Sequence, residues 1–188
     1  MVLLIDNYDS FSYNIYQLVG GFDSHIRVIR NDEMTVEEVE ALNPGAIILS
    51  PGPGRPEDAG ICCDVVRKLG SRIKILGICL GHQAICQVYG GEITYAKRLM
   101  HGRQSEVLIQ DNNKLFTGMN ASFLGARYHS LAVNENTISE SLMVTAKTAD
   151  GEIMAVEHQN YPVFGVQFHP ESVLTPDGEK IIENFMKL

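Results

Sequence analysis

The run Ile73-Lys-Ile-Leu-Gly-Ile-Cys-Leu-Gly-His-Gln83 decides how the rest of the chain is read. Its first half is a short apolar segment suited to a buried strand, and an apolar helix is expected to follow from about Leu80 to Tyr89. Between them, Gly77-Ile-Cys-Leu-Gly81 brackets Cys79 with glycines. Flanking glycines let a strand turn abruptly into a helix and leave the residue at the turn projecting in a strained conformation. This is the nucleophile-elbow pattern with sulfur in place of oxygen. A thiol at a helix N-terminus also sits in the positive end of the dipole, which favours the thiolate. A cysteine among apolar neighbours is ordinarily a small buried hydrophobe, and Cys62, Cys63 and Cys86 are read that way. Cys79 is the nucleophile candidate.

Outward from the elbow, the first half of the chain alternates strand and helix patterns. Strands are expected over Val2–Asp6, Ile26–Ile29 and Ala46–Leu49, and helices over Phe11–Val19, from Thr35 to Leu42 and over Gly60–Leu69. Thr35-Val-Glu-Glu38 has capping-box spacing, and Ser50-Pro-Gly-Pro-Gly-Arg-Pro56 can continue neither strand nor helix. Such alternation implies right-handed crossovers and a mainly parallel sheet flanked by helices in three layers. In such sheets chemistry collects at the carboxyl ends of the strands, where Asp6, Ser50 and Cys79 fall. The second half changes character. Short strands are expected over Glu92–Tyr95, Glu106–Gln110, Phe123–Tyr128, Leu142–Thr148, Ile153–Glu157 and Val163–Phe168, an antiparallel section appended to the parallel core. A helix over Asp177–Leu188 closes the fold. Neither a repeat nor a linker interrupts residues 1–188, so one domain is expected.

With 188 residues, 45% of them hydrophobic and 20% charged, the chain has the balance of a globular domain with a sizeable core. A formal net charge of −8 argues against nucleic acid or an anionic membrane as the main partner. Lys97, Arg98, His101 and Arg103 form a small basic patch. The N-terminal run Met1-Val-Leu-Leu-Ile-Asp6 lacks a basic leader and ends at an acid, so it reads as a strand and not a signal peptide. No apolar run approaches a membrane span. The four cysteines show neither a disulfide framework nor a C-x-x-C pair, so no metal site is expected and a reduced, cytoplasmic setting is.

A catalytic thiolate needs an imidazole to pair with it and to protonate the leaving group. His25 and His158 lie in polar, turn-like surroundings and read as surface residues. His82 points along its helix and reads as structural, while His101, beside Met100 and Gly102, is read as contacting either a partner or nothing. His129, in Arg127-Tyr-His-Ser130, follows a strand and is a candidate. His169 is the stronger one. It ends the strand Val163–Phe168, Pro170 excludes it from the α region, and Glu171 lies two residues on. In an extended chain that puts carboxylate and ring on one side, the third role in triad logic. The Leu80 amide is a natural oxyanion donor. A second donor fits the Ser50–Gly54 loop, where Pro53 has no N–H, leaving Gly52 or Gly54.

Taken together, Ser50-Pro-Gly-Pro-Gly54, Gly77-Ile-Cys-Leu-Gly-His-Gln83, Arg127-Tyr-His-Ser130 and Gly165-Val-Gln-Phe-His-Pro-Glu171 resemble the class I, triad-type glutamine amidotransferases, in family order and across nearly the whole chain. Ile5-Asp-Asn-Tyr-Asp-Ser-Phe11 and Met100-His-Gly102 narrow the resemblance to the glutaminase subunits of anthranilate synthase and aminodeoxychorismate synthase. Arg103-Gln104 departs from the lysine-containing form of that motif, which leaves partner preference open. The resemblance implies a flavodoxin-like α/β fold and hydrolysis of L-glutamine through a Cys79 thioester. His169 and Glu171 would act with Cys79, and Leu80 with Gly52 or Gly54 would hold the oxyanion. Gly52, Pro53, Gly54, Gln83, His129 and Ser130 would bind glutamine. It further implies no cofactor in this subunit, and a chorismate-binding synthase subunit, itself expected to use magnesium, that receives the ammonia. The Lys97–Arg103 segment is expected to take part in docking that subunit.

Two readings from other classes stand beside this one. A cysteine peptidase or other hydrolase would use the same elbow but ignore glutamine. A non-catalytic binding subunit would keep the fold, although it would not be expected to retain Cys79, His169 and Glu171 together.

Overall fold

A computed structural model describes residues 1–110 and 113–188. The continuous apolar runs become the centre of a nine-stranded sheet. Strands β1 (Val2–Asp6), β2 (Ile26–Arg30), β3 (Ala46–Leu49) and β4 (Lys74–Ile78) are parallel, with β1 between β2 and β3 and β4 beyond β3. Every residue of β1 and β3 is buried, as it must be in strands covered on both faces. Alternate side chains divide between two layers. Leu3, Ile5, Ile47, Leu49 and Ile75 face one side, against α2 (Val36–Ala41), α3 (Cys62–Leu69) and α4 (Leu80–Val88). Val2, Leu4, Ile48, Leu76 and Ile78 face the other, against α1 (Ser12–Gly20) and α5 (Gly178–Lys187). The three-layer α/β arrangement follows from this period of two.

The second half adds β5 (Ile93–Tyr95), β6 (Arg103–Ile109), β7 (Ser122–Arg127), β8 (Leu131–Val133), β9 (Leu142–Thr148), β10 (Ile153–His158) and β11 (Val163–Val166). β11 lies parallel to β4, and beyond it β10, β9, β6 and β7 run antiparallel in that order. β5 and β8 pair separately. The appended antiparallel section is therefore present and continues the parallel sheet.

Element boundaries depart from the sequence reading where burial is incomplete. β6 begins at Arg103 and not at Glu106, because Arg103, Gln104 and Glu106 are exposed and give no apolar signal. β8, with three residues, is too short to show a period. The 50–56 loop runs into a 3₁₀ turn at Pro56–Asp58, with Pro56 at its first position, before α3 starts at Cys62. β11 stops at Val166, short of the expected Phe168. Of these departures, the last bears on the site. Four parallel strands, β1, β3, β4 and β11, finish at one edge, and the next residues are Asn7, Ser50, Cys79 and Gln167.

Candidate active site

Cys79 sits between β4 and α4 with φ 51° and ψ −99°, a left-handed conformation that a side-chain-bearing residue adopts only under constraint. The constraint is the packing of the glycines. A Cβ on Gly77 would stand 2.3 Å from the Gly81 carbonyl oxygen, and one on Gly81 would stand 2.5 Å from that of Leu49. Helix α4 therefore presses on β3 and β4 more closely than any side chain would permit. The Cys79 N–H donates to the Val166 carbonyl at 2.8 Å, tying the elbow to β11.

The 50–54 loop is held just as tightly, by a residue that the sequence reading quoted within a motif but gave no role of its own. The Asn7 backbone N–H donates to Ser50 Oγ and its side-chain amide donates to the Ser50 carbonyl, both at 2.8 Å. A Cβ on Gly52 would lie 2.5 Å from the Asn7 Cβ and 3.0 Å from a Leu80 methyl. Gly54 has φ 80°, which glycine tolerates best. Gly52, Pro53, Gly54, Cys79, Leu80, Gln83, His129 and Ser130 line one cleft of about 180 Å³, joined by Tyr128 and Leu131. All eight of these expected residues converge there, from segments far apart in the chain.

His169 and Glu171 form the other half of the site. The His169 N–H donates to the Ala126 carbonyl at 2.9 Å, and its own carbonyl accepts from Thr175 Oγ1 at 2.7 Å. The ring is bracketed edge-on by Phe11 and Tyr128, with centroids 5.5 and 5.0 Å away. Nδ1 donates to Glu171 Oε1 at 2.7 Å. The two residues meet differently from the extended geometry expected of them. The chain turns after Pro170, with the Ser172 N–H pointing back to the His169 carbonyl, and the turn brings the carboxylate under the ring. Burial alone would lower the His169 pKa, but its interactions with Cys79 and Glu171 outweigh burial and raise it to about 10. Nε2 is buried without a hydrogen-bond partner of ordinary geometry in the resting site, as is common before substrate draws catalytic groups together.

His129 is excluded as the base by its own contacts. Nδ1 lies 2.9 Å from the Leu131 carbonyl, which can only accept, and Nε2 receives the Arg127 Nε–H at 3.1 Å. Burial and the Arg127 charge push its pKa down to about 3, so it is a neutral imidazole of fixed tautomer. Arg127 is itself fully buried and pairs with Glu152, whose other oxygen accepts the Lys97 N–H at 2.9 Å.

The remaining histidines divide as follows. His82 is fully buried against Gly165, and burial lowers its pKa to about 3, consistent with a structural role. His25 and His101 are exposed. His158 is not the surface residue its polar neighbourhood suggested. It is 4% exposed and stacked on Tyr161 at 4.3 Å, and its Nδ1 accepts from the N–H groups of Asn160 and Tyr161. The turn residues that made it look exposed fold back over it.

Sequence reasoning quoted Phe11, Tyr128 and Gln167 within its motifs but assigned none of them a role. The Gln167 side-chain amide donates to Cys79 Sγ at 3.5 Å. Beyond motif membership the available signal was position, since Asn7 and Gln167 each directly follow a parallel strand. Among the described residues no cluster of histidine, cysteine or acidic side chains is arranged to hold a metal ion, and no helix is long and apolar enough to cross a membrane.

Residues 3–188 match the family model described as Glutamine amidotransferase class-I. The chain is 52% identical to the Bifunctional protein TrpGD of Thermotoga maritima, with all of this chain aligned but only 32% of that longer protein. It is 44% identical to the Aminodeoxychorismate/anthranilate synthase component 2 of Bacillus subtilis, covering 100% of this chain and 96% of the relative. It is 48% identical to the Anthranilate synthase component 2 of Saccharolobus solfataricus, covering 99% and 97%. A solved structure from Thermoplasma acidophilum, described as a GMP synthase subunit, superimposes with a TM-score of 0.88 over 99% of this chain and 92% of its own. At 20% identity it speaks to the fold alone.

Proposed function

The chain belongs to the class I glutamine amidotransferases, and from that premise we propose that it is the glutaminase subunit of an anthranilate synthase, releasing ammonia from L-glutamine for a chorismate-using partner. The observation that carries this reading is Cys79 on its strained elbow, facing a cleft lined by a glycine loop and backed by the His169–Glu171 pair.

The chemistry follows from the geometry. The Cys79 thiolate attacks the side-chain amide carbon of glutamine. The developing oxyanion is taken by the Leu80 N–H at the start of α4 and by the N–H of Gly52 or Gly54, each such donor being worth about 10²–10³ in rate. Collapse breaks the C–N bond, and His169 gives its proton to the departing ammonia, leaving a γ-glutamyl thioester. His169 then takes a proton from water, the hydroxide adds to the thioester carbonyl, and glutamate leaves as the thiolate is regenerated. Glu171 holds the ring by Nδ1 throughout, so that Nε2 is the atom that exchanges protons. The cleft-lining residues Gln83, His129 and Ser130 bind glutamine. No step requires a metal or cofactor from this subunit, and magnesium would serve the synthase side.

The synthase subunit docks near the cleft mouth, with Lys97–Arg103 as part of the contact surface. Two backbone bonds support this placement: the Ala96 N–H donates to the Ser130 carbonyl and the Met100 N–H to the His129 carbonyl. The segment therefore runs beside the residues that line the cleft.

A second reading keeps the glutaminase and changes its partner to aminodeoxychorismate synthase, and it is favoured by the 44% identical relative whose name carries both activities. Reconstitution of the chain with each synthase, chorismate and glutamine separates the two. Ortho-aminobenzoate forming directly supports the first, and a product that a lyase converts to para-aminobenzoate supports the second. Cys79→Ala abolishes glutamate release in either case. Hydrolysis of peptides or esters with no release of glutamate from glutamine would overturn both.

A further inference from the structure

We infer that Gln167 is a positioning residue for the nucleophile, holding the Cys79 sulfur through a directed chain of amides that begins at the Leu131 carbonyl. Gln167 directly follows β11, is fully buried, and does not line the glutamine cleft. Its Nε2 lies 3.5 Å from Cys79 Sγ, and its Oε1 lies 3.1 Å from Gln83 Nε2.

The direction of these bonds is fixed by chemistry. A backbone carbonyl can only accept, so the Gln83 group 2.9 Å from the Leu131 oxygen must be the NH₂. That same NH₂ also reaches Gln167, which must therefore turn its oxygen toward Gln83. The remaining end of the Gln167 amide, the NH₂, is then left facing the sulfur. The Leu131 carbonyl also receives His129 Nδ1–H at 2.9 Å, so one backbone oxygen orders both the histidine of the cleft and the amide chain behind it.

A donor aimed at sulfur favours the thiolate over the thiol and restricts the direction in which it attacks. This is distinct from the pairing with His169, which must give up its proton to ammonia within the catalytic cycle. The Gln167 amide does not ionise and keeps its N–H protons throughout the cycle, so it supports the sulfur before attack and again when the thioester is cleaved.

This inference deepens the glutaminase reading of the same site, but its main readout is independent of what the enzyme hydrolyses. The readout is the pH dependence of Cys79 alkylation by iodoacetamide on the full chain. Cys63 is only half-buried, so the measurement is made in a Cys63→Ser background, and Cys62 and Cys86 do not compete near neutral pH, because burial pushes both thiols up, Cys62 to about 12. Gln167→Met keeps length and apolar volume but removes the donor. Hydrogen bonds to charged groups are worth enough that the alkylation midpoint is expected to rise by about one pH unit, with alkylation below it about tenfold slower. In the glutaminase assay kcat falls about tenfold while KM changes about twofold or less. Gln83→Met, by contrast, mainly raises KM and moves the alkylation midpoint less.

A merely structural role for Gln167 would lower Tm and leave the alkylation midpoint where it was, and that result overturns the inference. A wild-type measurement covers the case in which Gln167→Met does not fold. The Gln167 side-chain amide proton resonances should shift as pH passes through the alkylation midpoint and be insensitive to pH in Cys79→Ala. Resonances equally insensitive in the wild type would overturn the inference without any substitution at Gln167. Failure of glutamine hydrolysis together with an intact alkylation shift would instead count against the substrate reading alone.

Discussion

At the residue scale the site is a set of charge states imposed by neighbours. His169 is kept protonated by Cys79 and Glu171 against the pull of burial, whereas His129 and His82 are kept neutral by burial. These shifts have opposite consequences for stability. His169 is raised from 6.5 to about 10, so its contribution is fully present below 6.5 and is lost as pH rises through about 10. His129 and His82 are depressed from 6.5 to about 3, so their contribution is present above 6.5 and is lost as pH falls toward 3. Glu171→Gln removes one of the interactions that raise His169. The denaturant midpoint of that variant should fall off less between pH 7 and 10 than the wild type's, while the acid limb stays unchanged. An identical alkaline limb would mean that Glu171 does not hold the proton on His169. In the glutaminase assay the same variant should lose about 10⁴ in kcat, as triads do when the carboxylate is removed. Cys79, His169 and Glu171 were legible in the sequence because each sits in a short motif with a mechanical reason. The individual roles of Asn7, Phe11 and Gln167 were not, although each lies in a quoted motif, because an asparagine after a strand or a half-buried phenylalanine acquires its role only when a distant segment meets it.

At the element scale, the close approach of α4 to the sheet is what turns a cysteine into an elbow. Gly81 meets the Leu49 backbone, which cannot move aside as a flexible side chain could. Gly81→Ala should therefore destabilise the fold by about 1–3 kcal/mol or more through overpacking and should abolish activity with it. Gly54→Ala gives a different outcome. Its added Cβ would find the nearest atom, Asp58 Oδ2, at an ordinary 3.6 Å, and the cost is its φ of 80°. An L-residue there costs about 1–2 kcal/mol locally, in an exposed loop. Activity should fall because the loop that carries the Gly52 and Gly54 N–H groups is displaced, with Tm lowered far less than in Gly81→Ala. Parallel thermal melts and glutaminase assays check the pair, and equal losses of Tm would contradict this division.

The elements themselves were readable where local and tertiary demands agree. Continuous apolar runs gave β1, β3 and β4. The Thr35–Glu38 spacing gave a capping box that is present in full, with each side chain bonded to the other residue's N–H. Legibility failed where exposure removed the pattern, as at the start of β6, or where length did, as in β8. It failed at the end of β11 for a third reason. Phe168 continues the apolar signal of Val163–Val166, but β11 ends at Val166, and Gln167, whose N–H still donates to the Met154 carbonyl at 2.8 Å, turns its side chain to the sulfur.

At the scale of the whole molecule, the antiparallel section is the route by which an outside contact can reach the cleft. The exposed residues Lys97, Arg98 and Arg103 lie on a segment whose backbone is bonded to His129 and Ser130. Glu152 ties the same segment to Arg127, and Arg127 fixes His129. A partner that shifts this segment therefore acts on two cleft-lining residues without touching the thiol. The overall charge of −8 makes these cations a local exception on an acidic surface, suited to steer a partner surface of opposite charge. Replacing Arg98 and Arg103 with alanine should weaken association about two- to fivefold per charge, the range of rim ion pairs, and should flatten its salt dependence. Iodoacetamide reactivity of Cys79 in the free chain should remain as in the wild type, because neither arginine lines the cleft. Titration of the synthase subunit by calorimetry at two salt concentrations, beside the alkylation rate, separates docking from chemistry. Unchanged affinity at both concentrations would remove this segment from the interface, whereas a changed alkylation rate in the free chain would mean that it supports the resting site directly.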